Sequence, residues 1–170
     1  MSLINGLPAH VLLVHVVVVL IPLTALALVT AALWPRAARR LGSLLPVLAL
    51  AALISVPLTT QAGEWLERHV DNNALVRRHT ELGDGLLPWA LGVFVLAVVV
   101  WWTAGRAAAE PRQGGAAGRA ALPVRIVVGV LSLAVALGAV VDVYRIGDSG
   151  AKAAWHDAYS QASTAPKSAS

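Results

Sequence analysis

Residues 7–34 read LPAHVLLVHVVVVLIPLTALALVTAALW, with no Asp, Glu, Lys or Arg among them. As a helix this stretch is long enough to cross the hydrocarbon core of a bilayer, roughly 30 Å thick and spanned by about 20 apolar residues. Pro8 suits a first helical turn, and Pro22 falls where it would kink the middle. The first basic residue is Arg36, after the apolar run, so the segment lacks the positive leader of a cleaved signal and is expected to stay in the membrane.

Three further blocks have the same character, at about 41–60, 86–104 and 122–144. Together they account for a chain of 170 residues that is 58% hydrophobic and only 13% charged, with a mean hydropathy of +0.72. The expected fold is all-α: an integral membrane four-helix bundle, antiparallel and up-down-up-down, over residues 1–156. An amphipathic outer segment covers 61–85. Residues 157–170 (DAYSQASTAPKSAS) read as a disordered tail.

The net charge of +4 does not point to nucleic acid, because the arginines sit in loops between apolar blocks. Arg36, Arg39, Arg40, Arg106, Arg112, Arg119 and Arg125 fall on one side. Arg68, Arg77, Arg78, Arg145, Lys152 and Lys167 fall on the other. The bias is clearest in PRAARR at 35–40, read as a tight basic turn, against an N-terminal flank with no Lys or Arg. It predicts a multi-pass protein of the cytoplasmic membrane with both termini outside the cytoplasm. Trp34, Trp101 and Trp102 then mark the inner interface. The absence of cysteine excludes disulfides, thiolate metal sites and cysteine-held iron–sulfur clusters.

This topology gathers the histidines. His10, His15, His69, His79 and His156 all fall at the outer ends of the spans. His79 shares a helical stripe with Leu75, Leu82 and Leu86, and His69 lies one turn after Trp65. His10 and His15 are five residues apart, about 140° around a helix. His15, deeper in the span, is assigned to the interior and His10 to the interface. In the fourth span Ala134, Gly138 and Asp142 recur every four residues with Arg145 one turn on, and an ionisable group at such a depth is a site candidate. Ser55 and Thr59 set hydroxyls at the outer end of the second span.

Three chemistries fit these residues. Haem b needs two neutral imidazoles from different helices and no cysteine, with His15 and His79 as the pair. His69, Arg78 and Arg145 stand around them, the arginines for propionates. A zinc or copper site would draw on His10, His15, His79, Asp142 and Asp148, although no HxxxH or HExxH pattern occurs. A His/Asp relay could carry protons, but the paired broken helices of transporters are absent. Against these stands a plain structural role, with histidines bonding backbone or head groups and Asp142 pairing with Arg145. No GxSxG and no Ser–His–acid set is visible, so no enzyme activity is assigned. A cofactor protein would bury His15 and His79 across a cavity. A non-catalytic accessory subunit of a larger membrane complex would fill the space at His15 with side chains. Expected partners are the lipid bilayer and a redox partner or larger complex, with a homodimer left open and nucleic acid excluded.

Three stretches carry a family resemblance: INGLPAHVLLVHVVVVLIPL at 4–23, QAGEWLERHV with VRRHTELGDG between 61 and 85, and VYRIGDSGAKAAW at 143–155. The chain resembles the bacterial four-span membrane family catalogued as domain of unknown function 2231, over residues 4–156, and its Ala- and Arg-rich composition looks like that of an actinobacterial member. In that family the first span opens on a His-Pro-hydrophobic-hydrophobic-x-His pattern. His10 and His15 match its histidines, while Val11 replaces the proline. The third motif in relatives often reads Gly-His-Ser-Gly-Ala, and here Asp148 stands at the histidine. Some relatives are fused to Rieske-type or cytochrome c-like domains, which implies redox work.

Overall fold

A computed structural model describes residues 3–4, 7–67, 74–109 and 116–164, with side chains over 10, 12–65, 77–107 and 122–152. A two-residue antiparallel ladder, β1 (Leu3–Ile4) with β2 (Leu7–Pro8), leads into six helices. They are α1 (Ala9–Leu33), α2 (Pro35–Leu41), α3 (Leu44–Glu67), α4 (Ala74–Asp84), α5 (Leu86–Ala109) and α6 (Ala116–Thr164). Four of them, α1, α3, α5 and α6, are long and apolar enough to cross a membrane.

The four close into a ring: α1 packs on α3 and α6, α3 on α5, and α5 on α6. Each contributes one stripe at alternating spacings of three and four, the pattern of an up-down bundle. In α1 the stripe is Val17, Ile21, Thr24, Leu28 and Ala31; in α3, Leu45, Ala49, Ala52 and Val56. In α5 it is Leu86, Ala90, Val93, Ala97 and Val100; in α6, Ser132, Ala136, Ala139 and Val143. The many alanines bring the helix axes close together, as in membrane helix packing. Gly138 of α6 is the tightest approach, since a Cβ there would lie 2.2 Å from the Trp89 ring. Two hydroxyls at membrane depth are satisfied on their own helices: Thr24 donates to the Leu20 carbonyl at 2.7 Å and Thr59 to the Ser55 carbonyl at 2.7 Å, whereas the buried Ser132 Oγ has no partner.

Several boundaries differ from the sequence reading. PRAARR is not a turn but the helix α2. Pro35 takes its first position, where the fixed φ is preorganised and the missing N–H costs nothing, and Ala and Arg are good helix formers. Trp34 before it is extended, and Gly42 after it sits at φ +49°, donating its N–H to the Ala38 carbonyl. The helix α3 runs past the expected end at Thr60 to Glu67, and α6 runs from Ala116 through Pro123 to Thr164. The first part of the expected tail is therefore helical, while 165–170 lie outside the described residues. The amphipathic segment from 61 to 85 divides into the last turn of α3 and the separate helix α4, which packs on α6.

Candidate functional site

The site lies at the bundle end opposite α2, where α1 begins, α3 ends, and α4 crosses α6. His10 is in the first turn of α1, and its Nδ1 donates to the Thr59 carbonyl of α3 at 3.1 Å. His79, on α4, has its Nδ1 3.0 Å from Ser149 Oγ of α6. Ser149 spends its one proton on the Ile146 carbonyl at 2.8 Å. The Nδ1 of His79 must therefore be the donor to Ser149, just as His10 must donate to a carbonyl, which only accepts. Both imidazoles thus carry a proton on Nδ1. The ring centroids are 6.1 Å apart and the planes stand at 87°.

Two glycines admit these rings. A Cβ on Gly63 would lie 3.0 Å from His10 Cε1, and one on Gly150 would lie 3.0 Å from His79 Cε1. Each histidine thus rests on a helical glycine of the neighbouring span. His79 belongs to α4, whose charged residues Arg77, Arg78, Glu81 and Asp84 put it outside the spanning helices. Its pKa is lowered from the ordinary imidazole value, first by burial and then by His10, with the Ile146 carbonyl pulling the other way.

The structure brings His10, not His15, to His79. His15 is exposed on the outer flank of α1, so the assignment of His15 to the interior and His10 to the interface is reversed. The buried stripe of α1 explains it: continued backward from Ile21 and Val17 in steps of three and four, it passes Val14 and reaches His10. The helix is apolar all round, so no amphipathic signal marks that face in the sequence. His69 lies outside the described residues, as does the side chain of His156. Arg78 and Arg145 are exposed at the same end as the pair.

Of the proposed metal ligands, His10 and His79 meet. Among the described residues no three His, Cys, Asp or Glu side chains are grouped to hold an ion. Asp148 is exposed and paired with Lys152 at 2.7 Å. Asp142 is half-buried against Gly85, and its Oδ2 has no hydrogen-bond partner. Sequence reasoning gave no role to Gly63, Ser149 or Gly150. Their signal was available, since QAGEW and GDSGA both fall within the stretches that carry the family resemblance.

Fold and site together define a four-span membrane protein with an imidazole pair latched across one end of its bundle. The family model described as "Predicted membrane protein (DUF2231)" matches residues 6–162, and the chain belongs to that family. No curated protein and no solved structure matches it.

Proposed function

We propose that the chain is a small membrane electron-transfer protein whose end pair, His10 and His79, holds haem b. The observation that supports this reading is the pair itself: two half-buried imidazoles on separate helices, 6.1 Å between centroids, with both Nδ1 atoms engaged by the protein. Two imidazoles bound through Nε2 to one iron have centroids about 6 Å apart, taking metal–nitrogen bonds of about 2.0–2.1 Å as for zinc and adding the distance from nitrogen to ring centre. Metal-bound histidines usually donate their other ring N–H to a carbonyl or a similar acceptor. The donor types, two imidazoles each with Nδ1 held by the protein, suit the group. Bound there, haem b supplies a one-electron iron couple. The chain's own residues fix one tautomer through Thr59 and Ser149, and Arg78 and Arg145 offer charge to propionates. We assign the pair to the extracytoplasmic side of the cytoplasmic membrane on the arginine bias of the loops.

The test is an absorption spectrum of the detergent-purified chain, oxidised and then dithionite-reduced, after expression with haem precursor. A Soret band with sharp reduced bands, lost in His10→Ala and His79→Ala and kept in His15→Ala, is the expected result. A featureless spectrum from folded protein removes haem and moves the accessory-subunit reading to first place.

A further inference from the structure

The opposite end of the bundle carries a second feature, unrelated to the histidines. Between α1 and α2 lies an open groove of about 570 Å³, within the range of about 300–1,000 Å³ typical of ligand clefts. Its wall is apolar, formed by Leu23, Leu26 and Ala27 of α1 with Trp34 at the corner. Leu23 and Leu26 are both more than half exposed. Thr30, also on the wall, has its hydroxyl bonded back to the Leu26 carbonyl at 2.7 Å, so it adds no free donor. At the α2 side stand Arg36 and Arg40. They are four residues apart, hence on one face of the helix, and both are exposed.

Among the described residues these two guanidiniums have no carboxylate at their end of the bundle. No Asp or Glu occurs before Glu64, and Glu64 lies at the far end of α3. The helix α2 packs on α1 and α5, neither of which contains a carboxylate. Trp34, 62% exposed, marks the level of the lipid head groups. An apolar channel ending in paired arginines at that level matches a molecule with an alkyl chain and an anionic phosphate, because guanidinium forks bind phosphate in a bidentate way. Basic pockets beside membrane helices hold anionic lipid head groups on the same principle.

We propose that the α1–α2 groove is a binding site for an anionic phospholipid, with an acyl chain along Leu23, Leu26 and Ala27 and the phosphate between Arg36 and Arg40. The site occupies one defined seat, in contrast to the general lipid coat of the outer helix faces.

The test uses the full chain in a neutral detergent, following its thermal midpoint as short-chain phosphatidylglycerol is added. Phosphatidylcholine and inorganic phosphate are added in parallel. Phosphatidylglycerol is expected to raise the midpoint saturably, with an apparent affinity at least about tenfold above phosphatidylcholine, the size of one charge-assisted contact. Inorganic phosphate leaves the midpoint unchanged. The double variant R36Q/R40Q loses the preference, and R106Q, on α5, keeps it. Should the double variant not fold, R36Q and R40Q singly each lower the preference severalfold. Equal shifts from phosphatidylcholine would overturn the role of the arginines, and a shift from inorganic phosphate would reduce the site to a bare anion site. A midpoint that depends on protein concentration rather than lipid would show that a second copy of the chain covers the groove, and would equally overturn the proposal.

Discussion

His79 rests on Gly150 as His10 rests on Gly63. In both cases a Cβ on the glycine would come within 3.0 Å of the ring's Cε1. The repetition extends to the backbone: Thr59, whose carbonyl holds His10, is four residues before Gly63, and Ile146, whose carbonyl holds Ser149, is four before Gly150. One device is used twice, on α3 and α6 at the same end of the bundle.

Alanine at either glycine should therefore push its imidazole aside. In an open helix, Gly→Ala gains up to about 1 kcal/mol of helix propensity. At Gly105 and Gly147, which have nothing within 4 Å of a built Cβ, that gain should appear as a small rise in thermal midpoint. At Gly63 and Gly150 overpacking, typically about 1–3 kcal/mol, cancels or reverses it. Imidazole NMR shifts of His10 should move in Gly63→Ala and those of His79 in Gly150→Ala. Unmoved resonances in both would show that the glycines do not seat the rings.

Gly138→Ala should be the most damaging of the glycine changes. The added methyl would fall 2.2 Å from the Trp89 ring, and neither helix can yield without opening the α5–α6 contact. A clear drop in midpoint with altered Trp fluorescence is expected. Trp89→Leu should restore much of the loss in the double variant, because it removes the ring that clashes.

Ser149→Ala and Thr59→Val separate the two histidine contacts. Ser149→Ala removes the side-chain acceptor of the His79 Nδ1 proton and should cost about 1 kcal/mol, the net worth of one hydrogen bond. Thr59→Val leaves the backbone carbonyl that holds His10 in place, so the His10 contact should persist. Hydrogen-bond-sensitive ¹⁵N shifts of the two rings distinguish these outcomes.

The four spans were legible because lipid imposes a length and a composition that no loop shares. That His10 and His79 share one end of the bundle followed from counting spans. Which histidine faces inward did not, since in α1 the lipid-facing Val16, Val18 and Val19 are as apolar as the buried Val17 and Ile21. A soluble helix would have shown the face by contrast with charged residues. The helix α2 was missed for a related reason: PRAARR was read as charge for topology, while its Pro35 is also a helix-start signal. The glycines under the rings were hidden because a glycine's role here is the space it leaves for a residue more than fifty positions away.

Acid should loosen the α4 contact through His79. Its folded-state pKa lies below the ordinary imidazole value because burial and His10 both disfavour the charged ring. The folded protein then binds fewer protons than the unfolded chain as pH falls through the ordinary value of about 6.5. Stability from this residue is therefore fully present above that pH. It declines below it, by at most about 1.4 kcal/mol per pH unit, until the folded-state value is reached. Thermal midpoints of the parent should fall more steeply between pH 7 and pH 5 than those of His79→Gln, whose amide does not titrate. Parallel profiles would mean that folding does not lower the His79 pKa, so that burial beside His10 does not disfavour its charged form.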